Sequence, residues 1–209
     1  MSTLDYLSNL FLPTKCVICH KLPKTICDQC WSNLVFSKRK VSRGPLFGYA
    51  ISEYVDEIAT LLIAYKERGS RIIGELLTEQ IIHLISKPNV DLLVAAPSSL
   101  HNFSVRGFSP ADVISKRLST NWKIPMRKAH LLNLGRDQSQ LDRSARLSNL
   151  VGRMTLDRPL IDSRVLLVDD IVTTGSTLTE LARAVTAAGG QVSGFVCIAE
   201  TIPKPHTKN

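Results

Sequence analysis

No apolar run in the chain is long enough to cross a membrane. A spanning helix needs about 20 consecutive apolar residues, and the best candidates, residues 58–64 and 165–168, are broken by charge within a few positions. A secretory leader is not expected either. Asp5 precedes the apolar Leu10-Phe11-Leu12 patch, no basic start region stands before it, and no small-residue cleavage site follows. There is no G-x-x-x-x-G-K-S/T segment and no strand followed by G-x-G-x-x-G, which excludes the phosphate loop of nucleoside triphosphatases and the dinucleotide fingerprint. Internal repeats and low-complexity segments are absent too. What remains is a soluble, cytoplasmic globular protein without membrane insertion. Its 209 residues, 44% hydrophobic and 21% charged, suffice for one large domain or one domain with an appendage.

The formal charge of +8 favours anionic partners. The charge is uneven: Lys15, Lys21, Lys24, Lys38, Arg39, Lys40 and Arg43 face only Asp5 and Asp28 within residues 1–48. A solvated basic face and a contact with nucleic acid or a protein partner both account for this bias.

The five cysteines are an odd number without secretory context, which argues against a disulfide framework. Cys197 lies in an apolar run, Phe195-Val196-Cys197-Ile198-Ala199, and reads as a buried strand residue. The other four form Cys16-x-x-Cys19 and Cys27-x-x-Cys30, two knuckles separated by seven residues. Two such turns set four thiolates at the corners of a tetrahedron, the geometry zinc accepts. A redox pair is the rival reading, but it needs no duplication. A module of about forty residues lacks a core of its own, so a metal clip supplies stability. With all four positions filled by sulfur, the Zn²⁺ would be structural rather than catalytic. His20 is a spare ligand or an exposed loop residue.

Residues 1–44 read as a four-cysteine module and residues 45–209 as the main domain. Leu4, Leu7, Leu10 and Phe11 predict an amphipathic helix, and the polar stretch 37–45 reads as a linker. Beyond it, strands are expected at 47–53, 90–96, 164–168 and 191–199, with a weaker candidate at 128–134. Helices are expected at 58–69, 72–85, 110–120 and 175–188, the last ended by Gly189-Gly190. This alternation predicts an α/β fold with a parallel sheet flanked by helices and a ligand at the carboxyl ends of the strands.

The strongest strand, 164–168, delivers two adjacent carboxylates, Asp169 and Asp170. Thr173, Thr174, Gly175, Ser176 and Thr177 follow at the start of a helix. A helix N-terminus offers unpaired N–H groups to a phosphate, the hydroxyls add donors, and Gly175 lets the backbone curl round the oxygens. The carboxylates accept hydrogen bonds from vicinal sugar hydroxyls. A plain helix cap explains one Asp and one Thr; the whole run exceeds what a cap requires.

Residues 165–177 resemble the phosphoribosyl pyrophosphate (PRPP) motif of type I phosphoribosyltransferases. The resemblance implies that Asp169 and Asp170 hold ribose while Thr173 to Thr177 hold the 5-phosphate. Pro97, Ser98 and Ser99 resemble the pyrophosphate loop, Arg106 would neutralise the leaving diphosphate together with Mg²⁺, and residues 136–143 lie where such proteins keep a closing loop. That loop also reads as a plain solvated one. The order of four-cysteine knuckle, Lys66, Arg106-Gly107-Phe108, Gln140, Arg146-x-x-Asn149 and phosphate motif resembles the ComF family, including relatives named for gluconate utilisation. Ser109-Pro110 stands where that family usually has Asn-Gln, and Ala-Ala-Pro where it usually has Val-Pro. The resemblance implies a PRPP- or nucleotide-binding accessory in DNA uptake, beside single-stranded DNA and a competence helicase-like protein. A working transferase acting on a nitrogen acceptor, and a PRPP-sensing regulator without turnover, are the alternatives. No segment reads a base.

Overall fold

The computed structural model describes residues 15–98, 103–104, 106–132 and 152–202. The amphipathic helix expected near the N-terminus, Ser99, and the segment holding residues 136–143, Arg146 and Asn149 lie outside the described residues.

Helix α1 (Asp28–Ser32) belongs to the cysteine module. Strands β1 (Arg39–Arg43) and β2 (Leu46–Glu53) form an antiparallel hairpin. Helices α2 (Asp56–Glu67) and α3 (Arg71–Leu84) lead to β3 (Leu92–Ala95). Then come α4 (Pro110–Trp122), β4 (Met126–Lys128), β5 (His130–Leu131), β6 (Met154–Thr155), β7 (Arg164–Val168) and β8 (Ile171–Val172). Helix α5 (Ser176–Ala187) and β9 (Gln191–Glu200) complete the order. The main sheet has seven strands along the path β1-β2-β9-β7-β3-β4, with β8 also paired to β9. Every pairing in it except β1–β2 is parallel.

Alternation along the central strands separates two apolar layers. Leu166, Val168, Val196 and Ile198 face a core shared with α2, α3 and α4, whereas Val165, Leu167, Phe195 and Cys197 face one shared with α5. Cys197 is fully buried in β9, as expected of a small hydrophobe. On the second face, buried Glu180 ties α5 to the β5–β6 ribbon by accepting from the Met154 N–H at 2.9 Å. Arg183 bonds the same carboxylate and the Met154 carbonyl. Burial opposes the charge on Glu180, but the Arg183 bonds prevail and bring its carboxyl down to about 2.

Two expectations need correction. The stretch 37–45 is no linker: β1 occupies most of it and forms the sheet's antiparallel edge. Its one deeply buried residue is Val41, so the strand carries almost no alternating apolar signal, and its cations suit an exposed edge. The candidate strand at 128–134 is also divided, because β4 ends at Lys128 and β5, starting at His130, pairs with β6 in a separate two-stranded sheet.

Candidate functional site

The chain passes from β3 through α4 to β4 on one side of the sheet, and then places β7 on the other side of β3. The carboxyl ends of β3 and β7 therefore flank the switch point of the sheet, where open α/β folds bind ligands. The ends are fastened together: the Ala96 N–H donates to the Val168 carbonyl at 2.9 Å and the Asp169 N–H to the Val196 carbonyl at 3.1 Å. Pro97 and Ser98 thus continue from the end of β3 that is bonded to the end of β7, and Asp169 and Asp170 continue from β7. Ser98 Oγ donates to Ser109 Oγ at 3.1 Å, which fixes the start of the β3–α4 connection.

Both carboxylates are buried, Asp169 at 9% and Asp170 at 5% exposure. Asp169 Oδ1 accepts from the Asp170 N–H at 2.9 Å, and Asp170 Oδ1 from the Ile171 N–H at 2.8 Å. Burial, followed by the negative charge of Asp170, pushes the Asp169 carboxyl well above the usual carboxylate range. Lys66 on α2 pairs with Asp170, its Nζ lying 2.9 Å from Asp170 Oδ2. The spacing of the motif gave no hint of this pair, because it joins residues on separate elements.

Beyond the pair, the loop reverses at Gly175, which has φ +85° and caps α5. Thr173, Thr174 and Ser176 are exposed and Thr177 is half-buried. Thr174 Oγ1 and Ser176 Oγ are 2.8 Å apart. The loop thus carries exposed hydroxyls at the N-terminus of α5.

Arg43, counted in the sequence among cations of a solvated face or of a nucleic-acid or partner contact, anchors this loop. Its Nε donates to the Thr173 carbonyl at 2.7 Å, and its Nη2 to the Thr201 carbonyl at 2.7 Å and to Glu200 Oε2 at 3.2 Å. A Cβ on Gly175 would sit 2.6 Å from Arg43 Cβ, so the stem of the arginine lies against the turn. Arg43→Met keeps the stem and removes the donors. Its loss of about 1–2 kcal/mol is expected to lower the melting temperature by about 2–8 °C, which thermal unfolding will measure.

Arg106 is half-buried on the β3–α4 connection, directly before Gly107 at φ +70°. Arg71 Nη2 donates to the Gly107 carbonyl at 3.0 Å, and the Phe108 ring lies 5.5 Å from that of Tyr65. Tyr65, adjacent to Lys66 in sequence, donates its hydroxyl to the Pro110 carbonyl at 2.6 Å. Helix α2 thereby positions both the acidic pair and the Arg106 connection. Ser109 and Pro110 have structural work here: Pro110 opens α4, where a missing N–H costs nothing.

The sulfurs of Cys16, Cys19, Cys27 and Cys30 all lie within 4.8 Å of one another, with Cys19 and Cys27 3.6 Å apart. Zn–S bonds of about 2.3 Å in a tetrahedron place sulfurs about 3.8 Å apart, so the cluster can hold a metal such as zinc. Burial works against a Cys16 thiolate, yet backbone N–H donors from Cys19, Cys27 and Ile18 outweigh it and bring the thiol down to about 6. Hydrogen bonding to Cys27, then desolvation, pushes Cys30 up to about 12. His20 is exposed and lies outside the cluster.

Residues 105–208 match the family described as Phosphoribosyl transferase domain. The chain is 25% identical over 205 residues to DNA utilization protein YhgH of Escherichia coli (strain K12), covering 90% of both chains. It is 32% identical over 100 residues to Competence protein F of Haemophilus influenzae, 44% of each chain. It is also 30% identical over 122 residues to adenine phosphoribosyltransferase of Maridesulfovibrio salexigens, covering 58% of this chain and 66% of that one. No helix among the described residues is long and apolar enough to cross a membrane.

Proposed function

We propose that this chain, a ComF-like protein with a phosphoribosyltransferase domain and an N-terminal four-cysteine cluster, binds a ribose 5-phosphate-type ligand, PRPP or a nucleotide, as an accessory in DNA uptake. One observation carries the reading: the hydroxyl-rich turn of Thr173 to Thr177, exposed at Thr173, Thr174 and Ser176, leads into α5 shortly beyond the buried Asp169–Asp170 pair. The turn supplies donors for a phosphate. The carboxylates supply acceptors for the ribose hydroxyls, with Lys66 balancing Asp170. Pro97 and Ser98 on β3's end take the pyrophosphate side, Ser99 follows them in sequence, and Arg106 adds a cation.

Mg²⁺ arriving with PRPP would find oxygen ligands in Asp169 and Asp170, the donors it prefers, and would neutralise pyrophosphate charge. The four sulfurs suit a structural Zn²⁺ with no open position for chemistry.

The DNA-uptake part of the reading rests on the relatives that carry DNA utilization and competence names. A ligand that binds only the folded chain raises its stability by about 2.7 kcal/mol at a hundred times its Kd. PRPP with Mg²⁺ is therefore expected to raise the melting temperature by about 5–10 °C, and free ribose to leave it unchanged. A melting temperature indifferent to PRPP contradicts the reading.

A further inference from the structure

Two of the cations that bias the N-terminal segment converge on one acid. Glu200, the last residue of β9, is buried and uses both carboxylate oxygens. Its Oε1 accepts from Arg39 Nε at 3.2 Å and its Oε2 from Arg43 Nη2 at 3.2 Å. The two arginines are four residues apart on β1, so their side chains leave the same face of that strand. With a guanidinium on each oxygen, the carboxylate is held in one orientation.

What the carboxylate fixes in turn is Arg43. Nη2 of that arginine donates to Glu200 and to the Thr201 carbonyl, Nη1 to the Ser42 carbonyl at 2.8 Å, and Nε to the Thr173 carbonyl at 2.7 Å. The planar fork cannot turn without breaking several of these bonds at once. Strand β9 holds the residues just before Thr173, the Ile198 N–H donating to the Asp170 carbonyl at 3.0 Å and the Thr201 N–H to the Val172 carbonyl at 2.9 Å. Arg43 supplies the next hold along the chain.

In a trans peptide the carbonyl and the following N–H point to opposite sides. The peptide between Thr173 and Thr174 is trans, so a Thr173 carbonyl turned toward Arg43 turns the Thr174 N–H away from it. That N–H has no acceptor among the described residues. The Thr174 side chain is engaged separately, its Oγ1 lying 2.8 Å from Ser176 Oγ at the start of α5. Were the carbonyl released, the peptide could turn over and set its oxygen, a second negative group, against a phosphate. We infer that Glu200 is a positioning residue for the phosphate turn: by orienting Arg43 it holds the Thr173–Thr174 peptide with its carbonyl engaged and its N–H left for the ligand. The hold on the peptide is a property of the chain itself; that its N–H serves the 5-phosphate rests on the ribose-phosphate reading.

The test combines amide NMR of the ¹⁵N-labelled full chain with calorimetric titration of PRPP and Mg²⁺. Glu200→Ala is expected to move the Thr174 amide resonance and to weaken PRPP about tenfold, as the loss of one hydrogen bond to the ligand does. Glu200→Gln keeps an oxygen for Arg43 and is expected to restore most of both. Arg43→Met, which acts on the other side of the pair, is expected to move the same resonance, so the test does not depend on the alanine variant folding. Arg164→Met serves as the stability control, because its pair with Asp91 at 3.0 Å lies at the opposite end of β7. It is expected to melt lower than the wild type while keeping the Thr174 resonance and the PRPP affinity. A Thr174 resonance unmoved in Glu200→Ala and Arg43→Met would overturn the inference, as would an equal change in Arg164→Met or no restoration by glutamine. If the wild type fails to bind PRPP but the resonance moves as expected, the ribose-phosphate reading falls and the hold on the peptide stands.

Discussion

Asp169→Asn is expected to stabilise the protein at neutral pH while weakening its proposed binding of PRPP. The Asp169 carboxyl is buried beside a second carboxylate, and its proton affinity in the folded chain is raised well above that of an ordinary carboxyl. In the unfolded chain the same group ionises near its reference value of about 4. As pH rises through that value, the unfolded state loses its proton first and the folded state becomes relatively less stable, until the folded group ionises as well. The charge is therefore a stability cost that is absent at low pH and largest at high pH. An asparagine removes it and keeps Oδ1 to accept the Asp170 N–H now bonded at 2.9 Å. The variant is expected to melt about 2–4 °C higher at pH 8, as a gain of about 1 kcal/mol produces in a chain of this size, and the gap should narrow toward pH 5. Affinity for PRPP should fall by about a hundredfold, since hydrogen bonds to charged groups contribute about 1.5–3 kcal/mol each. Thermal unfolding across this pH range, with a PRPP titration on the same samples, checks both halves. A variant less stable at pH 8 than at pH 5, relative to wild type, contradicts the charge argument.

The second large effect lies at the cysteine cluster. Helix α1 has five residues and buries none of them. Among the described residues, the module meets the main core through Ile26 and partly buried Val17, Ile18, Cys30, Trp31, Leu34 and Phe36. With no helix residue of its own buried, the knuckle depends for its shape on its four sulfurs, whose crowding disfavours four thiolates without a cation. The protein purified without added zinc is expected to carry one zinc per chain, and Cys16→Ser to lose it. The variant should melt lower by more than about 5 °C, the shift that a loss of about 2 kcal/mol gives at this size. The consequences should reach the phosphate loop, because the module runs directly into β1, and Arg43 at the end of that strand holds the Thr173 carbonyl. Metal analysis and thermal unfolding with and without a chelator test this. Unchanged zinc content in Cys16→Ser would remove the assignment.

The features most legible in the sequence were those whose signals are local. Strand β7 is a compact apolar run, α5 begins at a run of small and hydroxyl residues and ends near Gly189-Gly190, and the two C-x-x-C turns fix their own spacing. Hidden features depend on residues far apart in sequence. The Lys66–Asp170 pair joins α2 to the end of β7, and Arg43 reaches Thr173 across 130 positions. Strand β1 has little signal in the sequence because an edge strand needs only one buried face, and here that face is little more than Val41. The paired state of the N-terminal cations is likewise a tertiary fact: composition counts Arg39 and Arg43 as free charge, whereas both meet Glu200.

The proposed ribose-phosphate pocket is tested most directly by calorimetric titration of PRPP with Mg²⁺, run in parallel on the wild type and on Asp169→Asn/Asp170→Asn. One site per chain in the wild type, with no measurable heat in the variant, is the predicted result. Equal and undetectable heat in both proteins would contradict it.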